Sequence, residues 1–283
     1  MDAVSQLLRE AAETIVLPVF GRREAEPEEK APGEWVTVAD RAAEDFLTPR
    51  LADLLPGSVV VGEEAAAADP SILNQLGFAG HVWLLDPLDG TANFAAGRSP
   101  FALMAALVSD GETTASWILD PLTGQLSRAQ RGAGAWLGDR RMTTDPAPPP
   151  AEEPATKEPA TQDLATKAPA TQDLKGAVLR RFLPAGFAAH VAAAESQFAE
   201  LSAGSGCAGA DYPAITTGAR DFILYWRTLP WDHAPGVLFV REAGGKAQRL
   251  DGAPYLPGQH SRPGLLVARN SAIWAQAHAA LVP

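Results

Sequence analysis

The sequence predicts an α+β fold, because stretches with helical spacing and stretches typical of strands alternate along its 283 residues. Apolar positions between Val4 and Val19 recur every three or four residues, as in an amphipathic helix. Phe101–Val108 and Thr113–Leu119 are apolar runs separated by the turn Ser109–Gly111, which predicts an antiparallel pair of strands. A chain of this length can build one large domain or two modest ones.

The first elements follow from helix and turn signals. The helix over residues 3–20 is expected to bend or end at Pro18. Residues 21–33 are charged and contain proline, which predicts a loop, and Trp35–Val38 is expected to form a short strand. Asp40 is placed to cap the helix that follows.

Further strands of the amino-terminal half are predicted from apolar runs that end in turn residues. They are Ser58–Val61, His81–Leu85, Gln125–Ala129 and Ala135–Leu137, with a helix and a loop between residues 65 and 80. Gly132, Gly134 and Gly138 nearly match a dinucleotide-binding fingerprint, but the third glycine falls one position late. Since no helix follows them either, hairpin turns are predicted there.

Residues 143–175 differ in composition from the rest of the chain. They hold seven prolines and a tandem ten-residue repeat, residues 155–164 and 165–174. Such a segment, rich in proline, alanine and threonine, cannot bury a core, and two copies are too few for a solenoid. We therefore expect a disordered insertion at 143–175 between an amino-terminal half, 1–142, and a carboxy-terminal half, 176–283.

The carboxy-terminal half is expected to continue the mixture of helices and strands. Predicted strands are Ala177–Phe182, Phe222–Trp226, Lys246–Leu250 and Leu265–Ala268, and predicted helices are Ala188–Leu201, 210–219, Trp231–Ala243 and Ser271–Leu281. The small residues Gly204–Gly209 predict a turn. Asp232 is placed to cap the helix that begins beside it.

The charge balance and the single cysteine exclude several classes of protein. Acidic residues outnumber basic ones by 34 to 23, and the net charge of −11 argues against a scaffold that binds a nucleic acid polymer. No apolar run has membrane-spanning length and the amino terminus lacks the signal-peptide pattern, so we expect no membrane association and a cytoplasmic location. Cys207 stands alone, so neither an internal disulfide nor a cysteine-based zinc site is expected.

The strongest functional signal follows the strand His81–Leu85. This apolar run leads directly into Asp86 and Asp89, two carboxylates three residues apart. Gly90 and Thr91 come next, where a helix can begin and its amide groups can bind a phosphate. Crowded carboxylates repel one another unless a cation neutralises their charge, so this loop is a candidate cation site.

Two more acids extend the pattern. Glu63 ends another apolar strand, and Asp232 would contribute from the start of a helix in the other half. Four carboxylates suit magnesium, which prefers hard oxygen ligands. A cation held beside a phosphate-binding helix end leads to the hypothesis of a magnesium-dependent phosphatase.

Three sequence motifs resemble the inositol monophosphatase family. They are Gly62–Glu64, Trp83–Phe94 and Trp231–Gly236, the last followed by Glu242–Gly245. The similarity covers nearly the whole chain except residues 143–175. It implies a five-layer αβαβα sandwich, Mg²⁺-dependent and Li⁺-sensitive hydrolysis of a small phosphate monoester, and a homodimer.

By position, the resemblance also implies the ligands of two or three Mg²⁺ ions in each site. One ion would be bound by Glu63, Asp86 and the backbone carbonyl of Leu88, and a second by Asp86, Asp89 and Asp232. Asp40 matches an acid that lies beside a further, weakly held ion.

The same carry-over implies the catalytic and substrate-binding residues. Glu63 and Thr91 would position and activate the attacking water, which paired metals make more acidic, and Asp40 is a third catalytic candidate. The residues expected to contact substrate are Asp89, Gly90, Thr91, Gly206, Ala208, Tyr225 and Asp232. His233 is expected to pack or hydrogen-bond, and Cys207 to be a small buried residue.

One position departs from the family pattern. Inositol-specific members carry a glutamate seven residues before the acid of the Trp-Asp pair, and this chain has Tyr225 there. A phenol forms hydrogen bonds, but it cannot accept from two hydroxyls as a carboxylate does. An inositol monophosphate-like substrate therefore stands beside 3'(2'),5'-bisphosphate nucleotidase, fructose-1,6-bisphosphatase and histidinol-phosphatase activities. Trp226 and Arg227 would favour an aromatic or doubly anionic substrate.

A second class of function is compatible with the sequence. In this alternative the chain is a catalytically weak, metal-binding regulatory protein that contacts a partner through residues 143–175. The presence of all four carboxylates and of Thr91 favours the enzyme.

Overall fold

Two large β-sheets, with helices between and outside them, make up the fold. The structure is a computed structural model and describes residues 2–22, 27–31, 34–77, 80–144 and 169–283. Within these residues the large sheets have seven and five strands, and a third sheet has two. None of the described helices is long and apolar enough to cross a membrane.

Helices and strands alternate along most of the chain. The strands are β1 Glu28–Ala31, β2 Glu34–Val36, β3 Val59–Gly62, β4 His81–Asp89, β5 Ala102–Ser109, β6 Glu112–Leu119, β7 Leu126–Gln130, β8 Gly134–Leu137, β9 Arg140–Met142, β10 Lys175–Val178, β11 Glu200–Ser202, β12 Phe222–Tyr225, β13 Lys246–Gln248 and β14 Leu265–Ala268. The helices are α1 Ala3–Ala11, α2 Leu17–Val19, α3 Val38–Leu54, α4 Glu63–Ala68, α5 Thr91–Ala95, α6 Ala185–Ala194, α7 Ala208–Thr217, α8 Pro230–Glu242 and α9 Ser271–Leu281. A π-helical segment, Ala12–Val16, joins α1 to α2, so the predicted first helix is continuous and ends just after Pro18.

The seven-stranded sheet is a run of neighbours in the order β3-β4-β5-β6-β7-β8-β9. Its first two strands are parallel, and the remaining neighbours are antiparallel. The predicted pair of strands, β5 and β6, is present with Leu103 opposite Leu119. Asp110 and Gly111 in their turn have φ values of 51° and 80°, and tight two-residue hairpin turns favour such positive values.

The five-stranded sheet has the order β11-β10-β12-β14-β13. Strand β10 is parallel to both of its neighbours, whereas β14 is antiparallel to β12 and to β13. The parallel strands β10 and β12 therefore end at the same edge of the sheet, and that edge faces the candidate site described below.

Alternating strand residues divide the core into layers. In β4, Leu84 faces the layer between the two sheets, whereas Trp83 and Leu85 face the helices α1 and α3. In β12, Ile223 faces the inner layer and Leu224 faces α6 and α9. Helices α7 and α8 fill the inner layer. The order is thus helices, seven strands, helices, five strands, helices, which confirms the expected αβαβα sandwich.

A hairpin occupies part of the segment that was predicted to be a loop. Strands β1 and β2 pair with Glu28 opposite Val36, inside and just beyond residues 21–33. The polar residues of β1 gave no strand signal in the sequence. Strand β2 ends at Val36 because Thr37 already belongs to the start of the next helix.

Two predicted helix caps differ from those in the structure. Thr37 is the N-cap of α3, and Asp40 completes a capping box by accepting hydrogen bonds from the Thr37 backbone N–H at 2.8 Å and its hydroxyl at 2.6 Å. Asp232 is the third residue of α8 and makes no capping bond. That helix begins with Pro230, whose missing N–H suits the first helical position.

Both ends of the segment 143–175 belong to the folded protein. Thr144 is buried, and its amide donates to the carbonyl of Ala243 at 2.8 Å. Leu174 is fully buried, and Lys175 begins β10. Disorder was predicted for all of residues 143–175, and the central part, residues 145–168, lies outside the described residues.

Gly236 in α8 lies where another side chain would collide with α7. A Cβ atom at this position would be 2.0 Å from the ring of Tyr212. We expect Gly236→Ala to lower the free energy of unfolding by about 1–3 kcal/mol, because the buried ring must move. Gly186 in α6 is the matched control, since its Cβ would meet nothing within 4 Å. Gly186→Ala should leave stability unchanged or raise it by up to about 1 kcal/mol; equal effects in urea titrations would contradict the prediction.

Candidate active site

Three of the predicted acids meet between the two sheets. Oxygen atoms of Glu63, Asp86 and Asp232 lie within 4.8 Å of one another. Glu63 is the first residue of α4, directly after β3, and Asp86 lies on the adjacent parallel strand β4. Asp232 comes from the first turn of α8. The structure therefore brings together acids that are far apart in the sequence, as the motif pattern predicted.

An irregularity in β4 turns its last acids towards this cluster. Asp86 lies opposite Met104 and Asp89 opposite Ala102, so β4 holds one more residue than β5 over this stretch. Such a bulge bends a strand and redirects its side chains. Asp86 Oδ1 accepts a hydrogen bond from the Leu88 amide at 3.0 Å, which fixes the carboxylate. The predicted tight loop is thus the bulged end of a strand.

Glu44 of α3 holds the helix that carries Glu63. Its carboxylate accepts from the amides of Glu64 at 2.9 Å and Ala65 at 2.7 Å, the first turn of α4. Gly62 leaves room for this contact, because a Cβ atom there would lie 2.3 Å from the Glu44 carboxylate carbon. Glu44 carries no signal in the sequence, because no local pattern marks a cap that comes from another helix.

Electrostatics in the cluster favours a bound cation. Burial raises the pKa values of Asp86 and Asp232 well above the usual range, and the charge of Glu63 raises both further. Burial also raises the pKa of Glu63, although the ammonium group of Lys30 acts against this shift. Oxygen donors that repel one another at this spacing fit a hard divalent ion such as Mg²⁺.

Lys30 of β1 brings a positive charge to the edge of the cluster. Its ammonium nitrogen lies 2.9 Å from Glu63 Oε1 and 2.7 Å from Glu64 Oε1. Burial lowers the pKa of Lys30, but the two carboxylates more than compensate and raise it above its usual value. Lys30 is therefore charged and competes with any metal ion for Glu63. It was missed because its segment was predicted to be a loop.

Thr91 connects Asp40 to the backbone of the bulge. Its hydroxyl lies 2.9 Å from Asp40 Oδ1 and 2.9 Å from the carbonyl of Leu88. Burial raises the pKa of Asp40 to about 6, while hydrogen bonds from Thr37 and Thr91 work in the opposite direction. Asp40 thus has two roles, in the capping box of α3 and as the acceptor beside Thr91.

Asp89 lies outside the group of three acids and contacts the other half of the fold. Its Oδ2 atom accepts from the Gly209 amide in the first turn of α7 at 2.6 Å and from Cys207 Sγ at 3.0 Å. A carboxylate at a helix amino terminus interacts favourably with the exposed amides and with the helix dipole. If Asp89 binds a second ion, as expected from the sequence, it would use its other carboxylate oxygen, Oδ1.

The phosphate-binding candidate Gly90 is confined by its neighbours. It has φ of +83°, and a Cβ atom there would lie 2.9 Å from the Pro100 carbonyl oxygen and 3.0 Å from Cys207. Asn93, in the same turn of chain, donates to the carbonyls of Pro100 at 2.9 Å and Ser205 at 3.0 Å. Asn93 thus joins the two halves, a role that the sequence analysis did not assign.

A cavity of about 380 Å³ opens beside the acids. Its lining includes Asp89, Arg181, Phe182, Gly206, Ala208, Tyr225, Trp226, Arg227 and Asp232. Gly206 and Ala208 therefore lie at this cavity, as expected for residues near a substrate. Tyr225 is 1% exposed, and its buried hydroxyl has no hydrogen-bond partner among the described residues.

His233 and Cys207 have the structural environments that were predicted. Both are buried. His233 Nε2 lies 3.2 Å from the Arg227 carbonyl, which can only accept, so Nδ1 accepts from the Tyr212 hydroxyl at 2.8 Å. Burial lowers the pKa of His233 to about 3, so the ring is neutral. With both ring nitrogens hydrogen-bonded, His233 positions the backbone of Arg227.

Comparisons with known proteins agree with this fold. The sequence model of the inositol monophosphatase family matches residues 1–282. A relative from Mesorhizobium japonicum, named inositol-1-monophosphatase, is 30% identical over 79% of this chain and 75% of its own length. A relative from Vibrio cholerae, named Nus factor SuhB, is 28% identical over 83% of this chain and 79% of its own length.

Similarity extends to solved structures. The extragenic suppressor protein SuhB of Bartonella henselae has a TM-score of 0.77 and 25% sequence identity, with 98% of this chain and 96% of that chain covered. This agreement supports the arrangement of both sheets.

We expect Glu44→Gln to weaken the metal site through the position of α4. Glutamine offers one acceptor oxygen where Glu44 supplies two, so an amide of Glu64 or Ala65 loses its partner. The free energy of unfolding should fall by about 1–2 kcal/mol, and Mg²⁺ affinity measured by calorimetry should fall severalfold. Asp45→Asn, at an exposed position of the same helix, should change neither. Unchanged Mg²⁺ affinity in Glu44→Gln would show that the cap does not position Glu63.

We expect Lys30→Met to raise the affinity for a divalent cation. The change removes a positive charge 2.9 Å from Glu63, and a gain of about fivefold to tenfold corresponds to roughly 1 kcal/mol. Calorimetric titration with Mg²⁺ or Mn²⁺ measures it directly. Lys246→Met is the matched control. Lys246 belongs to β13 of the five-stranded sheet, and its ammonium group lies over the ring of Trp274. Weaker binding in Lys30→Met would mean that Lys30 orients Glu63 instead of competing for it.

Proposed function

Because the chain belongs to the inositol monophosphatase family, we propose that it hydrolyses a small phosphate monoester and requires Mg²⁺. The observation that supports this most strongly is the convergence of Glu63, Asp86 and Asp232. We further place the enzyme in the cytoplasm as a homodimer, in line with the family resemblance.

The donor set fits Mg²⁺. Glu63 and Asp86, with the carbonyl of Leu88, would hold one ion, and Asp86, Asp89 and Asp232 would hold a second. When bound, the ions would neutralise the phosphate oxygens and lower the pKa of an attacking water. The carbonyl of Leu88 lies 2.9 Å from the Thr91 hydroxyl, and its two lone pairs allow it to accept from Thr91 and still serve as a ligand.

Protein groups can position the attacking water and take up its proton. The Thr91 hydroxyl has one hydrogen, which Asp40 or the Leu88 carbonyl accepts, so its lone pairs remain to accept from a water. Asp40, with a pKa of about 6, is mostly ionised at neutral pH and can accept the proton that Thr91 passes on. Glu63 would help to position the same water.

The phosphate would lie against the bulge and the first turn of α5. Gly90 adopts a positive φ that suits the turn into α5, and the amides of Gly90 and Thr91 would donate to phosphate oxygens. The remainder of the substrate would extend into the cavity beside Gly206, Ala208 and Tyr225.

The choice of substrate is the finer part of the proposal. The Mesorhizobium japonicum relative's name supports an inositol monophosphate-like substrate. Tyr225, which stands where inositol-specific members have a glutamate, favours the alternatives: a 3'(2'),5'-bisphosphate nucleotide, fructose 1,6-bisphosphate or histidinol phosphate. All four share a phosphate monoester, so the site chemistry is the same.

Asp86→Asn tests the reaction. We expect Mg²⁺-dependent phosphate release from a panel of these four monoesters to fall by about 100-fold or more, because a central charge of the cluster is lost. Thermal unfolding without metal should show equal or higher stability, since repulsion with Glu63 and Asp232 is relieved. Asp53→Asn, on an exposed part of α3, should behave as wild type.

Two results would contradict the proposed function. One is an Asp86→Asn variant that retains wild-type turnover, and the other is phosphate release that a metal chelator does not reduce. Either result would place the chemistry outside this cluster.

A regulatory function is the second candidate, and the relatives named Nus factor SuhB favour it. In that case a partner would bind and turnover would be incidental. Deleting residues 145–168 distinguishes the enzyme from the regulatory protein. The deletion leaves Thr144 and Leu174 in place, because both are buried in the folded protein. An enzyme should keep its turnover after the deletion, whereas a regulator that uses this segment should lose its partner.

A further inference from the structure

We propose that the outer face of the seven-stranded sheet binds a ligand that joins a planar aromatic ring to a negative charge, in a groove between Trp117 and Trp136. This site goes beyond the proposed function. Among the described residues, the groove shares none with the cavities that Asp86 and Asp232 line. A row of alternating tryptophan and arginine side chains across four strands carries the argument.

Pairing between strands places these side chains next to one another. Trp117 of β6 lies opposite Arg128 of β7, and Arg128 lies opposite Trp136 of β8. Trp136 in turn lies opposite Arg141 of β9. All of these strand pairs are antiparallel, and residues directly opposite each other in such pairs point to the same face of a sheet. The four side chains therefore form one row on one face.

The row lies on the face that points away from the other sheet. Ala129 and Ala135, the neighbours of Arg128 and Trp136 in the chain, belong to an apolar cluster with α8 in the inner layer. Since successive residues of a strand point to opposite faces, Arg128 and Trp136 point outwards. Helices α1 and α3 cover the outer face where Trp117 lies. Trp136 belongs to none of the buried apolar clusters of the described residues, so core packing does not account for this large side chain.

A groove of about 390 Å³ lies over this row, and its lining includes Trp117, Arg128, Gln130 and Trp136. Neighbouring strands lie roughly 4.8 Å apart, so about 10 Å separates the backbones that carry the two indole rings. One planar ring fits between walls at this separation, because stacked rings lie about 3.5–4.0 Å from each other. The volume of the groove is also within the usual range of small-molecule sites.

Contacts within the protein hold both walls of the groove. Trp117 Nε1 donates to Asp2 Oδ1 at 2.9 Å, which fixes the orientation of its ring. Arg128 and Arg141 flank the ring of Trp136, with their Cζ atoms 6.0 and 5.9 Å from its centroid. These distances are at the outer limit of a cation–π contact, so neither guanidinium group stacks closely on the ring. The Trp136 ring is therefore placed by its neighbours and still available to a ligand.

The two arginines of the row keep donors for an anion. The Arg128 guanidinium forms no hydrogen bond within the described part of the chain, and Nη1 lies 3.6 Å from Asp2 Oδ2 in its ion pair. The Arg141 guanidinium has no ion pair among these residues and donates to the Ala133 carbonyl at a long 3.4 Å. Two positive charges thus face the single carboxylate of Asp2. Although the chain has a net charge of −11, this row is a local excess of positive charge that attracts an anion.

A ligand with both a ring and an anionic group uses both features of the groove. Its ring stacks against the indoles of Trp117 and Trp136, and its anionic group binds the guanidinium of Arg128 or Arg141. Stacking accepts any flat aromatic ring, and a guanidinium group binds carboxylates and phosphates. Adenosine monophosphate has both parts and is the probe. Adenosine has the ring without the charge, and ribose 5-phosphate has the charge without the ring.

The test is calorimetric titration of the full chain with these three compounds in the presence of EDTA. The chelator keeps Mg²⁺ out of the acid cluster, which then repels phosphate. We expect adenosine monophosphate to bind at least about 10-fold more tightly than either of the other compounds. Trp136→Ala should weaken its binding by about 10-fold or more, as expected for the loss of a ring stack. Arg128→Gln should reduce the preference over adenosine by about the same factor.

Matched variants separate the groove from general effects. Trp136→Phe keeps an aromatic ring and should keep most of the affinity. Arg50 is an exposed arginine on α3, with Cζ 3.7 Å from the centroid of Phe46, and Arg50→Gln should bind the probe as wild type does. Phosphate release with Mg²⁺ should be unchanged in Trp136→Ala and Arg128→Gln. Because the titrations need no turnover, they remain decisive even if the proposed function fails.

Four results would overturn the proposal. Wild type could bind adenosine monophosphate no more tightly than adenosine and ribose 5-phosphate, or Trp136→Ala could bind it as wild type does. A change in the sedimentation of Trp136→Ala would assign the face to a second copy of the chain. An acidic peptide with one tryptophan that binds more tightly than the nucleotide, and loses affinity in Trp136→Ala, would assign it to a partner protein.

Discussion

The mutual repulsion of three carboxylates, one buried and two half-buried, is the constraint around which the rest of the structure is arranged. Glu63, Asp86 and Asp232 converge within 4.8 Å, and burial and neighbouring charge raise the pKa of each. Holding them together without a cation costs free energy, which the layered core must offset. The acids come from a helix start, a strand bulge and a second helix, so they cannot separate without unpacking an apolar layer.

Hydrogen bonds of Asp89 and Asn93 join the two halves. Asp89, at the end of β4, accepts from the Gly209 amide at the start of α7, and Asn93 donates to Ser205 in the preceding turn. These contacts span more than a hundred residues of sequence and place the first half's acids against the second half's cavity. Because Asp89 and Asn93 bond to backbone groups of the second half, side chains in that half can change without loss of these two hydrogen bonds.

Elements with local signals were predictable, and those decided by distant contacts were not. The pair β5–β6 and helix α9 match their predicted positions, because apolar spacing and turn residues lie within each segment. Thr37 and Asp40 are both good capping residues, and only the reciprocal capping box decides between them. Lys30 and Glu44 reach α4 from 33 and 20 residues away in sequence, so no local pattern could place them in the site.

The positively charged side chains of the site lie in parts of the fold that differ in how readily a residue can be exchanged. Lys30 lies on a hairpin beside the acids, whereas Arg181 and Arg227 follow strands whose own residues are buried. A residue just beyond a strand end can be exchanged without altering the layer beneath it, while an exchange among the acids alters the cation site itself. Substrate choice can therefore change at the cavity wall while the hydrolytic chemistry stays fixed.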